Sequence, residues 1–213
     1  MDAPEHPRYT RDLAYAQSPP CSYVLPKMTT NYSRNLVLHI THEFLRHKLP
    51  RLPGWVARNG PRFERKYNAD PGVLAELGAS SLEIDPYARE ACFAWAGREF
   101  TLLVRVPQTD RAVTPIALSL PNEIRADTPL SRNFLRAVVS SFVEKQLPKM
   151  KDWAYKRRFK LGESLKVDPA LIEDLCRETC NVNARALSFV WAEKQADVSV
   201  SVQWRHYSQN EES

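Results

Sequence analysis

Apolar residues recur every three or four positions in three stretches of the chain, and this spacing predicts amphipathic helices. The first stretch, residues 31–49, is ended by Pro50, because proline cannot continue a regular helix. The second, residues 128–146, opens with a Thr-Pro pair that has the chemistry of a helix start. A third helix is predicted to open with the Asp-Pro pair at residue 168.

A different pattern, typical of strands, occupies residues 82–120 and the C-terminal end of the chain. β-Branched and aromatic residues recur there between turn signals, in the segments SLEIDPY, AREACFAWA, EFTLLVRV and TPIALSL. A tight turn at Ala96, Gly97 and Arg98 is expected to join the second and third strands. Two further strands are predicted in ALSFVWAE and DVSVSVQW, and strict alternation in the last one predicts one buried and one solvated face.

Together these elements predict an α+β fold. We expect an antiparallel sheet, formed by a central β-meander and a C-terminal hairpin, with about four helices packed on one face. Residues 22–207 are interpreted as a single domain, flanked by a disordered Pro-rich tail at 1–21 and a short disordered tail at 208–213. No internal repeat is evident in the sequence.

Positive charge is concentrated in two segments. Residues 145–166 hold eight Lys or Arg against two acids, and residues 46–67 hold seven against one, so each segment carries a formal charge of +6. The first segment is predicted to form a basic helix over 148–161. The second is predicted to be a basic loop over 51–72, because prolines and glycines interrupt it. Charge separated in this way indicates a surface that meets a polyanion.

The prediction is therefore a non-catalytic nucleic-acid-binding protein that contacts the phosphate backbone, as one component of a larger nucleoprotein assembly. Aromatic residues interleaved with the cations are expected to stack on bases. The candidate phosphate contacts are Lys149, Lys151, Lys156, Arg157, Arg158, Lys160, Arg62, Arg65 and Lys66. The candidate stacking residues are Trp153, Tyr155 and Phe63. The type of nucleic acid stays open.

Two alternatives remain for the same charges. The basic helix is also compatible with an interaction module that docks an acidic protein partner, or with a solvated surface whose lysines maintain solubility. Against the solvated surface stands the shortage of Glu residues, which an ordinary exposed helix uses to form i, i+4 ion pairs.

A catalytic alternative rests on His39, His42, Glu43 and His47. If their helix lies near the basic segment that follows it, these side chains would act on a phosphodiester as general acid and base, as in a nuclease. Their spacing does not match the HExxH motif of zinc proteases, so a surface row of polar residues is the simpler interpretation.

Other classes of site find little support in the sequence. No metal site or cofactor is predicted, since the chain holds neither a Walker motif nor a GxGxxG motif. The four cysteines are expected to be reduced, and Cys176 and Cys180 are expected to share one helix face. Neither a membrane span nor a secretory signal is predicted, and the expected location is the cytoplasm.

Overall fold

The computed structural model describes residues 34–107 and 131–204. The helices are α1 (Arg34–Lys48), α2 (Leu52–Tyr67), α3 (Pro71–Ala79), α4 (Arg132–Gln146), α5 (Met150–Lys156), α6 (Arg158–Leu165) and α7 (Pro169–Arg177). The strands are β1 (Leu82–Ile84), β2 (Ala91–Trp95), β3 (Arg98–Arg105), β4 (Cys180–Asn183), β5 (Ser188–Trp191) and β6 (Lys194–Trp204). Short 3-10 turns precede α2 and α5, at Leu49–Arg51 and Leu147–Lys149.

The six strands form one antiparallel sheet in the order β1-β2-β3-β6-β5-β4. Helices α1 and α4 pack on one face of this sheet, so the predicted α+β architecture is confirmed. The predicted turn between β2 and β3 is also confirmed, since Ala96 and Gly97 both have positive φ, as the tight hairpin requires. The predicted strand at TPIALSL, the helix start at Thr128 and Pro129, and both predicted tails lie outside the described residues.

The described part of the chain consists of two structurally repeated halves, although no internal repeat is evident in the sequence. Helices α1 and α3 have the same lengths as α4 and α7 and start 98 residues before them. The two 3-10 turns are also 98 residues apart. Each half then adds three strands. From either edge of the sheet inward, the first, second and third strands of one half follow in chain order, so β3 and β6 meet at the centre.

Sequence identity between the halves is too low to reveal the repeat by inspection. Nine of the 50 residues from 34 to 83 are identical to the residue 98 positions further on. The offset falls to 96 after β1, because six residues join β1 to β2 whereas four join β4 to β5. What the halves share instead is backbone conformation. Asn68 and Lys166 are both left-handed at the end of a helix, and Asp70 and Asp168 both cap the next helix.

A pseudo-twofold axis relates the halves and passes through the centre of the β3–β6 pair. The register pairs Leu102 with Val200 and Val104 with Val198, and the 96-residue offset exchanges these two pairs. The axis therefore lies at the pair between them and runs perpendicular to the sheet, as a twofold axis relating antiparallel neighbours does.

The halves interlock through two equivalent aromatic contacts. Trp153 of the second half packs edge-on against Phe44 of the first, with ring centroids 5.4 Å apart and planes at 70°. Trp55 of the first half packs on Phe142 of the second with the same distance and angle. Because each tryptophan completes the core of the other half, the core is continuous across the axis.

The predicted basic loop over 51–72 is wrong, since most of it is helix α2. Pro53 lies in the first turn, where its missing N–H is not needed. Pro61 lies inside the helix, and burial of Leu52, Val56 and Phe63 on one side offsets the lost backbone hydrogen bond. Tertiary packing thus overrides the local preference for a loop.

Two further predictions need correction in the second half. The basic helix predicted over 148–161 is divided at Arg157, whose φ of −114° and ψ of 14° separate α5 from α6. Cys176 and Cys180 do not share a helix, because α7 ends at Arg177 and Cys180 begins β4.

Candidate nucleic-acid interface

Cations occupy equivalent positions in the two halves of the molecule. The 98-residue offset pairs Arg51 with Lys149, Arg58 with Lys156, and Arg62 with Lys160. On an ideal helix, positions 51, 58 and 62 fall within a 40° arc, so the first half presents one row of cations along one side of its helix, and the second half has lysines at the equivalent positions. Arg58, Arg62, Lys149, Lys156 and Lys160 are exposed, as is Arg51.

The two rows meet beside Lys48, at the end of α1. Burial lowers the pKa of the Lys48 ammonium, and the positive charges of Arg51, Lys149 and Arg157 lower it further. These charges come from both halves, so the two basic segments that the sequence separates by about a hundred residues share one surface. The Lys48 ammonium is held 5.5 Å from the centre of the Phe44 ring, a cation–π contact.

His47 lies in the same cluster. Its ring lies 5.6 Å from that of Trp153, centre to centre. Burial lowers its pKa, and the charges of Arg157, Lys48, Arg51 and Lys160 add to the effect, which favours a neutral ring.

We call this surface the basic face and define it by eight cations: Lys48, Arg51, Arg58, Arg62, Lys149, Lys156, Arg157 and Lys160. None of them forms a salt bridge within residues 34–107 and 131–204. Cations gathered around a symmetry axis without compensating carboxylates repel one another, and a bound polyanion relieves this repulsion.

Some predicted phosphate contacts are engaged elsewhere. Lys151 donates a hydrogen bond of 2.8 Å to the carbonyl oxygen of Glu178. Arg158 forms a 2.9 Å salt bridge with Glu173. Both cations hold α5 and α6 against α7, so the structure gives them a packing role.

The other predicted contacts keep accessible cations. Arg62, Lys156 and Lys160 are exposed on the basic face, and Arg157 is half-buried over Trp153, with its guanidinium carbon 5.7 Å from the ring centre. Arg65 and Lys66 are exposed near the end of α2.

Lys48, Arg51 and Arg58 were not among the predicted contacts. Their charges are visible in the sequence, and the 98-residue offset selects Arg51 and Arg58 by matching them to lysines of the second half, whereas Lys48 is matched to Gln146.

Two of the three predicted stacking residues are buried. Trp153 is 9% exposed and Phe63 is 2% exposed, and both pack against other aromatic rings. Their rings are therefore part of the core. Tyr155 is 44% exposed, and Phe159, which was not predicted, is 66% exposed. The guanidinium carbon of Arg158 lies 4.7 Å from the centre of the Tyr155 ring and 4.5 Å from that of the Phe159 ring.

The histidine cluster does not converge on one point. His39 is exposed, whereas His42 is buried at 5% exposure. Glu43 forms a 3.0 Å salt bridge with Arg46, and His47 faces Trp153. The four side chains therefore point into different surroundings.

Cys176 and Cys180 lie in environments that disfavour reactive thiolates. Burial raises the pKa of Cys176 to about 12 and that of Cys180 to about 11. Across residues 34–107 and 131–204, no three His, Cys, Asp or Glu side chains are grouped so as to hold a metal ion.

On the face of the sheet opposite the helices, acidic side chains outnumber basic ones. Glu83, Glu99 and Asp197 lie on it, with Arg105 directly across from Asp197 in the β3–β6 register. The molecule is therefore polar along its pseudo-twofold axis, with positive charge on the helical side.

No protein-family model, curated protein or solved structure matches this chain. The site must therefore be interpreted from its own geometry. Within the described ranges, the helices are all too short or too polar to cross a membrane.

Proposed function

We propose that this protein binds double-stranded nucleic acid along its phosphate backbone, through the basic face. The observation that supports this proposal is the meeting of two symmetry-related rows of cations at one axis. A duplex has twofold axes of its own, perpendicular to its length, which relate the backbones of its two strands. A protein with the same symmetry makes equivalent contacts to both strands, as dimeric DNA-binding proteins do.

The side chains of the basic face suit backbone contact. Arginine binds phosphate oxygens through two parallel N–H groups, and lysine binds them as a point charge. Each phosphate that is neutralised releases condensed counterions, so the affinity should fall steeply as salt increases. The face offers cations and few acceptors, which favours contacts to phosphates over readout of base sequence.

The test is fluorescence anisotropy with a labelled 20-base-pair duplex, titrated with the full chain at several salt concentrations. We expect the double variant Arg51→Gln, Lys149→Gln to bind at least tenfold more weakly than the original chain. The slope of log K against log salt should become shallower by about two, because two phosphate contacts are lost.

The control is the double variant Arg105→Gln, Lys194→Gln. It also removes two positive charges, but from the end of β3 and the start of β6. It should bind within about twofold of the original chain. Equal losses in the two double variants would mean that only net charge matters, and the basic face would not be the site. Absence of duplex binding near 100 mM salt would refute the proposal and leave an acidic protein partner as the next hypothesis.

A further inference from the structure

A cleft of about 450 Å³ opens in the second half, between α4, the connection from β4 to β5, and β6. Its volume lies in the range of small-molecule sites. Three cations line it, namely Lys66 from the end of α2, Arg136 from α4 and Arg185 from the connection. Because Lys66 belongs to the first half, the cleft lies where the two halves join.

The equivalent place in the first half is lined differently. There Arg46, which corresponds to Glu144, donates hydrogen bonds to the carbonyl oxygens of Ala88 and Glu90. These bonds fasten the six-residue connection between β1 and β2 onto α1. His42, which corresponds to Ser140, is buried beneath it at 5% exposure.

The second half lacks each of these features. Its connection is two residues shorter, and Glu144 replaces the arginine that fastens it. Arg136 stands where the first half has Leu38, so a cation has replaced an apolar side chain at the same point. The second half therefore places cations where the first half has an apolar side chain and a fastened connection.

The lining of the cleft defines the chemistry of the anion. Arg136 and Arg185 form neither salt bridges nor side-chain hydrogen bonds within the described residues. Guanidinium groups prefer phosphate or carboxylate, and three cations suit the double charge of a phosphomonoester. Ser140 and Ser141 add hydroxyl donors.

The remaining lining suits the rest of a nucleotide. Leu187 and Val200 form an apolar wall that suits a flat base, and the two side chains are 8% and 4% exposed. The carboxylate of Glu144 accepts hydrogen bonds, as the hydroxyls of a sugar require. We propose that this cleft binds one nucleoside monophosphate, with the phosphate on Arg136, Arg185 and Lys66 and the base against Leu187 and Val200.

The experiment is a titration of the full chain with AMP, GMP, CMP and UMP. Binding is measured by calorimetry and by the NMR signals of the Leu187 and Val200 methyl groups. Inorganic phosphate and the four nucleosides are titrated in parallel. We expect saturable one-to-one binding of at least one monophosphate, at least tenfold tighter than that of its nucleoside or of phosphate alone. The two methyl signals should shift on binding.

The variant Arg136→Gln should weaken this binding at least tenfold. The matched variant Lys145→Gln should leave it unchanged, because residue 145 projects from the opposite side of the same helix. Thermal unfolding checks that both variants remain folded, and Arg185→Gln replaces Arg136→Gln if the latter does not fold.

Three results would overturn the proposal. They are no saturable binding of any monophosphate up to about 1 mM, phosphate alone binding as tightly as the monophosphates, or equal affinities for Arg136→Gln and Lys145→Gln. The cleft shares no residue with the basic face, so Arg51→Gln, Lys149→Gln should bind the monophosphate normally. A failure of duplex binding would therefore not count against nucleotide binding in the cleft.

Discussion

His42 is the most deeply buried histidine in the described part of the chain, and the folded state disfavours protonation of its ring. Burial is the largest cause of its lowered pKa, and the positive charge of Arg46 lowers it further. The folded protein therefore resists protonation of this ring, whereas the unfolded chain takes up the proton with an ordinary pKa near 6.5.

The stability should fall in acid because of this difference. Above pH 6.5 the ring is neutral in both states and contributes no pH dependence. As the pH decreases through 6.5, the unfolded state binds more protons, so the free energy of unfolding decreases. Urea unfolding at pH 5, 6, 7 and 8 should show a smaller decrease below pH 6.5 for His42→Leu than for the original chain. An unchanged decrease would mean that other groups cause the acid sensitivity.

Burial also separates residues that look alike in the sequence. Trp153 and Tyr155 both lie in the basic segment, but the tryptophan completes the core beside Phe44, while the tyrosine is exposed. Side-chain direction on a helix depends on where its buried stripe lies. Within α5, Trp153 lies beside the buried Met150 and Ala154, whereas Tyr155 lies on the exposed side, and the sequence alone does not show how far the buried stripe extends.

At the scale of elements, the turns and the terminal strands are predictable, because Gly97 and the Val-Ser alternation of β6 are local signals. Helix α2 is not predictable, because its prolines and glycines favour a loop and only the burial of Leu52, Val56 and Phe63 reverses that preference. The same limit applies to the site. The charge count finds the two basic segments, but only the tertiary structure reveals that they meet.

Helix ends that the halves share provide a stability test. Lys166 has φ 54° and ψ 45° at the end of α6, a left-handed conformation that costs an ordinary residue about 1 kcal/mol. Lys166→Gly should therefore raise the free energy of unfolding by about 0.5 to 1 kcal/mol, measured by urea denaturation. The equivalent Asn68→Gly should gain less, since asparagine tolerates this conformation. Destabilisation by Lys166→Gly, or equal gains at both sites, would contradict this account.

At the scale of the whole molecule, the pseudo-twofold axis makes a quantitative prediction for the proposed binding. Arg62 and Lys160 occupy equivalent positions, so each should contact one strand of a palindromic duplex. Arg62→Gln and Lys160→Gln should each lower the affinity by a similar factor, within about threefold of one another. In the double variant the two factors should multiply. Anisotropy titrations of the three variants test this, and a loss confined to one of the two positions would show that the duplex does not straddle the axis.

The shorter connection after Asn183 has a consequence for how the molecule diverged. In a homodimer of separate chains, any mutation appears in both copies at once. A new pocket would therefore appear twice, and both copies would lose the hydrogen bonds that fasten the connection in the first half. A chain that carries both halves escapes this constraint, because one half can keep the connection fastened by Arg46 while the other changes freely. The stoichiometry of small-ligand binding should therefore be one per chain, even though the fold has two halves.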